Sequence, residues 1–174
     1  MEAMTDAFSD VLSANCDYAA GYSDPNLEGR AARGLAVVTC MDSRIDPLAM
    51  LGLAKGDAKI LRNAGARVTD DVLRTLVLAV HLLAVRRIMV VAHTDCRMSK
   101  VTEEQVHADI LSGSGVDTRA LDFGTISDQR AVLAHDVRRV RRFLYLPDDI
   151  AAIGCVYDVR TGALEVVIGE DDEV

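Results

Sequence analysis

Apolar and polar positions divide the chain into a short series of elements. Gly34 to Thr39 reads GLAVVT, a continuous apolar run bounded by turn chemistry, which suits a strand buried on both faces. Ala58 to Arg62 and Ile88 to Ala92 read as two further short strands, the second ending at His93. Asp46-Pro47 opens a short helix through Leu53. Thr69, followed by Asp70 and Asp71, is an N-cap with acids where the helix dipole favours them, and it predicts a long helix from Asp70 to about Val85, with Arg86 and Arg87 at its positive-preferring end. The apolar positions of that helix run nearly all round, which predicts deep burial. Val101 to Leu111 and Ser127 to Phe143 are amphipathic, with a loop starting at the GSG of 113–115. Ala151 to Val159 and Ala163 to Ile168 are strand-like and separated by Arg160-Thr161-Gly162, a hairpin signal.

Strands alternating with helices imply an α/β fold with a mostly parallel central sheet, about four parallel strands plus an antiparallel edge strand from the last hairpin, flanked by helices. Residues 1–30 stand apart. Phe8, Val11, Leu12 and Cys16 lie near helical spacing and a polar turn region follows at Gly21 to Gly29, so this segment is expected to be an N-terminal helical arm with a partner subunit or the protein surface to pack against. Residues 31–174 then form one α/β domain, with an acidic, frayed tail from Glu170 to Glu173.

Composition narrows the function classes. The chain has 174 residues, 50% hydrophobic, and its longest apolar stretch, Leu76 to Val85, is far too short to span a bilayer. The start MEAMTDAFSD carries no base and no apolar middle, so no secretory signal is read there and the cytoplasm is the expected compartment. A net charge of −8 repels phosphate backbones, and seven aromatics without Trp offer little to stack bases on. Nucleic acid and membrane are therefore not expected partners, and the basic run Arg138-Arg139-Val140-Arg141-Arg142 is read as a solvated helix face. Four cysteines at 16, 40, 96 and 155 in a chain able to build its own core point to metal ligands, catalysis or burial rather than a disulfide framework.

Two of those cysteines carry the chemistry. Cys40 and His93-Thr94-Asp95-Cys96 each follow a buried strand directly, which in an open parallel sheet is the carboxyl-end rim where ligands bind. If the first and third strands are neighbours, Cys40, His93 and Cys96 converge. Two thiolates and an imidazole suit Zn²⁺ and leave a fourth position open, as catalytic sites do; the plainer reading of a strand-end Cys is a small buried hydrophobe. Asp42 and Arg44 follow Cys40 at two and four residues. They form either a pair that orients a metal-bound water or a structural ion pair capping the next helix. A nucleotide-binding α/β domain is disfavoured, because the first strand–helix turn carries Cys-Met-Asp-Ser-Arg instead of a glycine-rich phosphate cradle.

CMDSRID at 40–46, RNAGARVTDDVLRTL at 62–76 and HTDC at 93–96, with the strand pattern and GCVYDVRTG near the end, resemble the β-class carbonic anhydrases over roughly residues 30–169. The resemblance implies one Zn²⁺ per chain held by Cys40, His93 and Cys96, and Asp42 and Arg44 as the family's catalytic dyad, in which the Asp either pairs with the Arg or closes the site by taking the fourth position. It implies reversible hydration of carbon dioxide to bicarbonate and a proton by attack of zinc-bound hydroxide. It also implies a homodimer embraced by the arm, with further pairing to a tetramer left open. A same-fold hydrolase acting on CS₂ or COS, and a non-catalytic zinc protein with its open position blocked, are the alternatives.

Two positions depart from the family pattern: Arg97 stands where Gly usually follows the second Cys, and Ala66 where the Asn-Ala-Gly loop usually has a second Gly. Arg97 is expected either to point to solvent or to pair with Asp42 or Asp95 and occlude the pocket. Asn63-Ala64-Gly65 either shapes the pocket through backbone groups or serves as a tight turn. His81 is read as a packed helical histidine, His107 and His135 as exposed, and Cys16 and Cys155 as buried thiols.

Overall fold

Among the described residues the apolar runs become five strands: β1 (Leu35–Cys40), β2 (Ala58–Asn63), β3 (Arg87–His93), β4 (Ala151–Tyr157) and β5 (Leu164–Ile168). They form one sheet in the order β2-β1-β3-β4-β5, parallel throughout except for the antiparallel β4–β5 edge pair. This is the sheet expected from the sequence. The computed structural model describes residues 7–24 and 26–173, so the first six residues of the expected arm lie outside the described residues.

Among the described residues four α-helices accompany the sheet: α1 (Ser9–Ala20), α2 (Asp70–Leu82), α3 (Glu103–Ser114) and α4 (Gln129–Arg141). The starts of α2, α3 and α4 are fixed by side chains that accept the orphan N–H groups of a first turn. Thr69 accepts from Val72 N, Asp128 from Ala131 N, and Thr102 with Gln105 closes a capping box on α3. α2 and α4 cover one face of the sheet, where Leu76, Val137 and Val140 close over Ala36, Val38 and Val90. The opposite face packs Leu35, Val37, Val91 and Cys155 against Met50, Leu51 and Leu53 of the segment after β1. With both faces covered, every residue of β1 is buried, which accounts for its unbroken apolar run.

Three expectations change. α2 is not buried all round: Val72, Leu73, Leu76 and Ala79 face the core while Leu78 and Leu82 are exposed. It also stops at Leu82, because Ala84 adopts φ +64° and the chain folds back so that Val85 N–H and Leu83 N–H both reach the Ala79 carbonyl. The acidic tail is not frayed at its start, since the Arg141 guanidinium donates to the carbonyls of Ala152, Gly169 and Asp172.

α1 is helical as expected, and none of its residues is buried. The segment touches the body through Lys55, whose ammonium donates to Tyr18 Oη and Asp24 Oδ2, both at 2.9 Å, and lies 4.6 Å from the Tyr22 ring centroid.

Helix α4 packs tightly against the sheet at Gly154 on β4. A methyl group there would meet Leu133 Cγ at 2.9 Å and Val137 Cγ2 at 3.1 Å, both on α4. Overpacking of this kind costs about 1–3 kcal/mol. Gly154→Ala is therefore expected to lower the urea midpoint and the Tm, and a variant melting with the wild type would show that α4 yields freely.

Candidate metal centre

The carboxyl ends of β1 and β3 lie side by side, in register from Leu35↔Arg87 to Thr39↔Val91. Cys40 ends β1, His93 ends β3, and three residues later the chain returns with Cys96. Their three ligand atoms all lie within 4.8 Å of one another and all three residues are buried. Among the described residues this is the one group of three metal-binding side chains so arranged.

Local structure aims each donor. His93 Nδ1 lies 2.8 Å from the Thr94 carbonyl, so the ring proton sits there and Nε2 is left with its lone pair. That Nε2 is buried and has no hydrogen-bond partner, a costly state for an imidazole nitrogen unless something else uses it. The His93 carbonyl is in turn held by Gln129 Nε2 at 2.8 Å, which locks the end of β3 onto the start of α4. The sulfurs sit among backbone amides. Gly65 N–H points at Cys40 Sγ at 3.4 Å, the Asp42 amide also faces Cys40, and the Met98 and Ser99 amides face Cys96.

Charge follows this geometry. The facing Cys96 thiol, hydrogen-bonding to Cys40, pulls Cys40 well below the ordinary thiol range, and His93 and the amides add to this against the opposing effect of burial. The same bond, with burial, drives Cys96 up. Burial pulls the His93 imidazole down, but the Cys40 sulfur, the Thr94 carbonyl and the Asp42 carboxylate together outweigh it and the net direction is up. Two sulfurs that cannot both carry charge side by side, next to an imidazole with a free lone pair, form a donor set that a divalent cation completes.

The loop of 63–67 closes the site from below. Asn63 Oδ1 accepts from Arg67 N and its Nδ2 donates to the Arg67 carbonyl, so one side chain ties both ends of the turn. Gly65 within it has φ +79°, and a methyl there would press Ile126 Cδ1 at 3.1 Å, so glycine is what lets its amide reach Cys40. Both functions expected of this segment, tight turn and pocket wall, are present. Arg67 is anchored by a salt bridge to buried Asp136 at 2.9 Å.

Asp42 and Arg44 pair at the rim. Asp42 Oδ1 accepts from Arg44 N (3.0 Å) and Nε (2.9 Å), and Oδ2 accepts from Nη2 (2.7 Å). The Arg44 side chain, then its amide, holds the Asp42 carboxyl well below the usual carboxylate range. Asp42 Oδ2 lies 3.9 Å from His93 Nε2, close to the donor set without being part of it. Arg97 points away: its guanidinium is 3.8 Å from Asp109 on α3 and its side chain is 77% exposed, so of the two expected orientations the solvent-pointing one holds.

Several residues were not legible. Arg62 donates to the carbonyls of Cys40 (2.9 Å) and Asp42 (2.7 Å), fixing the turn that carries both, and Gln129 holds His93. Neither has a motif signal, because each acts through a backbone carbonyl brought near only by the fold. His81 is exposed, with Nε2 against the Tyr145 carbonyl, instead of packed. His107 is half-buried against Thr118 and Glu103 instead of exposed. Cys16 is exposed, whereas Cys155 is buried as expected.

Comparison with known proteins agrees with the geometry. A family model described as carbonic anhydrase matches residues 35–121. The chain is 35% identical over 158 residues to Beta-carbonic anhydrase 1 of Mycobacterium tuberculosis, covering 91% of this chain and 96% of that protein. The crystal structure of carbonic anhydrase from Streptococcus mutans superposes with a TM-score of 0.86 at 37% identity, over 92% of this chain and 96% of that one. A carbon disulfide hydrolase of an Acidianus species is 32% identical over 156 residues, covering 76% of each.

The cysteine environments generate a test. Burial pushes the Cys155 thiol up to about 11, so at pH 8 about one in a thousand is thiolate even when reached. Iodoacetamide at pH 8, followed by peptide mass spectrometry, is expected to alkylate exposed Cys16 and spare Cys155 until the protein is unfolded in urea. Native labelling of Cys155 at the Cys16 rate would contradict the packing of β4.

Proposed function

Because the chain belongs to the β-carbonic anhydrase family, we propose that it catalyses the zinc-dependent reversible hydration of carbon dioxide to bicarbonate and a proton at Cys40, His93 and Cys96, with Asp42 and Arg44 as catalytic dyad. The observation that carries this reading is the convergence of two sulfurs and an unpartnered imidazole Nε2 within 4.8 Å at the sheet rim. The donor set fits Zn²⁺, which takes thiolate and imidazole together and, with three protein ligands, keeps a position for substrate chemistry. The chemistry such an ion supplies when bound is Lewis acidity, enough to bring the pKa of water to about 7.

The chain's own residues do the rest. Asp42 is ionised by its three Arg44 N–H donors and is acceptor-only, so its Oδ2 takes the O–H of the reacting water and leaves a lone pair directed at the carbon of carbon dioxide. Arg44 occupies both Asp42 oxygens and so keeps the carboxylate from joining the donors 3.9 Å away. Arg62 and Gln129 hold the two strand ends still, as the supporting hydrogen bonds of metal ligands do. Water adds to carbon dioxide, one proton is released to buffer, and bicarbonate leaves; the reverse reaction consumes that proton.

Two further features belong to this reading. The N-terminal arm packs on a second copy in a homodimer: Phe8, Val11 and Leu12 are each more than half exposed, while the sheet face opposite α2 and α4 carries a recess of about 230 Å³ lined by Leu35, Leu53, Met89 and Ile153. The compartment is the cytoplasm, because Cys40 and Cys96 must stay reduced to serve as ligands and face each other closely enough to oxidise elsewhere. No helix among the described residues is long and apolar enough to cross a membrane.

Purified protein is expected to contain one zinc per chain and to hydrate carbon dioxide in rapid-mixing assays, with carbon disulfide tested alongside. Asp42→Ala should keep its zinc and lose about 10²–10³-fold in kcat. Unchanged turnover removes Asp42 from the reaction, and zinc-loaded wild type active on carbon disulfide alone would transfer the site to the hydrolase reading. Sedimentation velocity is expected to show a dimer that Leu12→Asp dissociates; a wild-type monomer would overturn the arm's assignment.

A further inference from the structure

Arg44 is gripped from two sides. Nε and Nη2 face Asp42, while Nη1 donates to Asp95 Oδ2 at 2.7 Å and Nη2 also donates to the Asp95 carbonyl at 3.2 Å. The second oxygen of Asp95 is taken by the Lys100 ammonium. Asp95 lies between His93 and Cys96 on the chain segment leaving β3, so these bonds tie the turn after β1 to the turn after β3. The tie is made by a residue with φ +60°, a backbone conformation that favours Gly and that Asp or Asn tolerates better than other side chains.

We propose that Asp95 is a positioning residue for the reaction: by holding the far edge of the Arg44 guanidinium it fixes Arg44 against Asp42, and so keeps the Asp42 carboxylate beside the three donor atoms and not among them. The inference rests on the carbonic anhydrase reading and deepens it.

Magnitudes favour this division of labour. The Arg44 side chain is 42% exposed, and an ion pair open to water is too weak to hold one geometry by itself. A second carboxylate and a carbonyl on the same planar fork change the situation, because the guanidinium cannot rotate to suit one partner without losing the other. The penalty for a loose Arg44 is local. Asp42 Oδ2 is already 3.9 Å from His93 Nε2, and a carboxylate is itself a zinc-ligand type.

The positive φ supplies a variant that separates positioning from folding. Asp95→Gly removes the carboxylate while relieving the backbone, so a purely structural role predicts an unchanged or higher Tm with unchanged turnover. The expected result is a Tm at or above wild type, one zinc per chain, and a kcat lower by about 10–100-fold, the usual effect of losing a supporting contact at a metal site. Asp95→Asn, whose amide oxygen still accepts from Nη1, is expected to recover part of the loss. A readout independent of turnover is the rate at which phenylglyoxal modifies Arg44, followed on its peptide by mass spectrometry, which should rise in Asp95→Gly. Wild-type turnover in Asp95→Gly, or reduced turnover with Arg44 no more reactive, overturns the inference. If Asp95→Gly does not fold, Asp95→Asn decides by the same two measurements. If zinc-loaded wild type fails to hydrate carbon dioxide, the functional reading falls, while the phenylglyoxal comparison still reports whether Asp95 holds Arg44.

Discussion

The pairing of β1 with β3 as parallel neighbours is the constraint on which the remaining structure depends. Cys40 and His93 are 53 positions apart, and nothing local draws them together. They meet because both strands are buried on two faces, so a slip of one residue would turn every side chain to the wrong layer. With Val38 opposite Val90 and Thr39 opposite Val91, the strands end together and the chain leaves both at the same rim. Thr39 strengthens this inside the core by donating its hydroxyl to the Val91 carbonyl at 3.0 Å. β2 pairs on the far side of β1, so the order reverses there and opens the crevice in which open parallel sheets place their ligands. Convergence of the donors is thus a consequence of core packing more than of any interaction among the donors.

Around that point the structure spends its polar groups on backbone. Arg62, Asn63 and Gln129 each bind main-chain atoms, and the carbonyls they take belong to Cys40, Asp42, Arg67 and His93. The effect is to immobilise the segments that carry ligands through their main chain, with the Arg62 guanidinium on the Cys40 carbonyl. Fixed charge is kept at the rim, where Asp42, Arg44, Asp95 and Lys100 form an alternating series of two anions and two cations.

What could be read from the sequence was what depends on periodicity or on residue type at a strand end. Among the described residues the strands and α-helices fall close to their expected spans; Cys40 and His93 were legible because each directly follows an apolar run, and Cys96 because it stands three residues after His93. Boundaries moved where tertiary structure intervened. The apolar circumference of α2 predicts burial without saying what supplies it, and Leu78 and Leu82 remain exposed in this chain. Arg62 and Gln129 were invisible because a side chain bound to a distant carbonyl leaves no spacing to detect. Asp95 was read only as a possible partner for Arg97. Its contact with Arg44 spans 51 residues and exists only once β1 and β3 are adjacent.

The two departures from the family pattern have different physical consequences, and backbone geometry distinguishes them. Glycine is required where φ is positive or where a neighbour approaches closely. Arg97 meets neither condition, since it sits in a 3-10 turn with Met98 and Ser99 and is absent from the positive-φ positions, so its side chain leaves toward Asp109 at no backbone cost. Ala66 does meet the first condition, with φ +59° directly after Gly65 at +79°. A left-handed alanine costs roughly 1–2 kcal/mol. Its methyl group, however, is buried with Cys40, Ile45 and Cys96, and burial of one such group contributes about 0.8 kcal/mol, which offsets much of the strain. The mutual bonds between Asn63 and Arg67 then hold the turn in the conformation that alanine resists. A glycine preference at Ala66 is therefore a matter of backbone strain, whereas at Arg97 the fold of this chain imposes none.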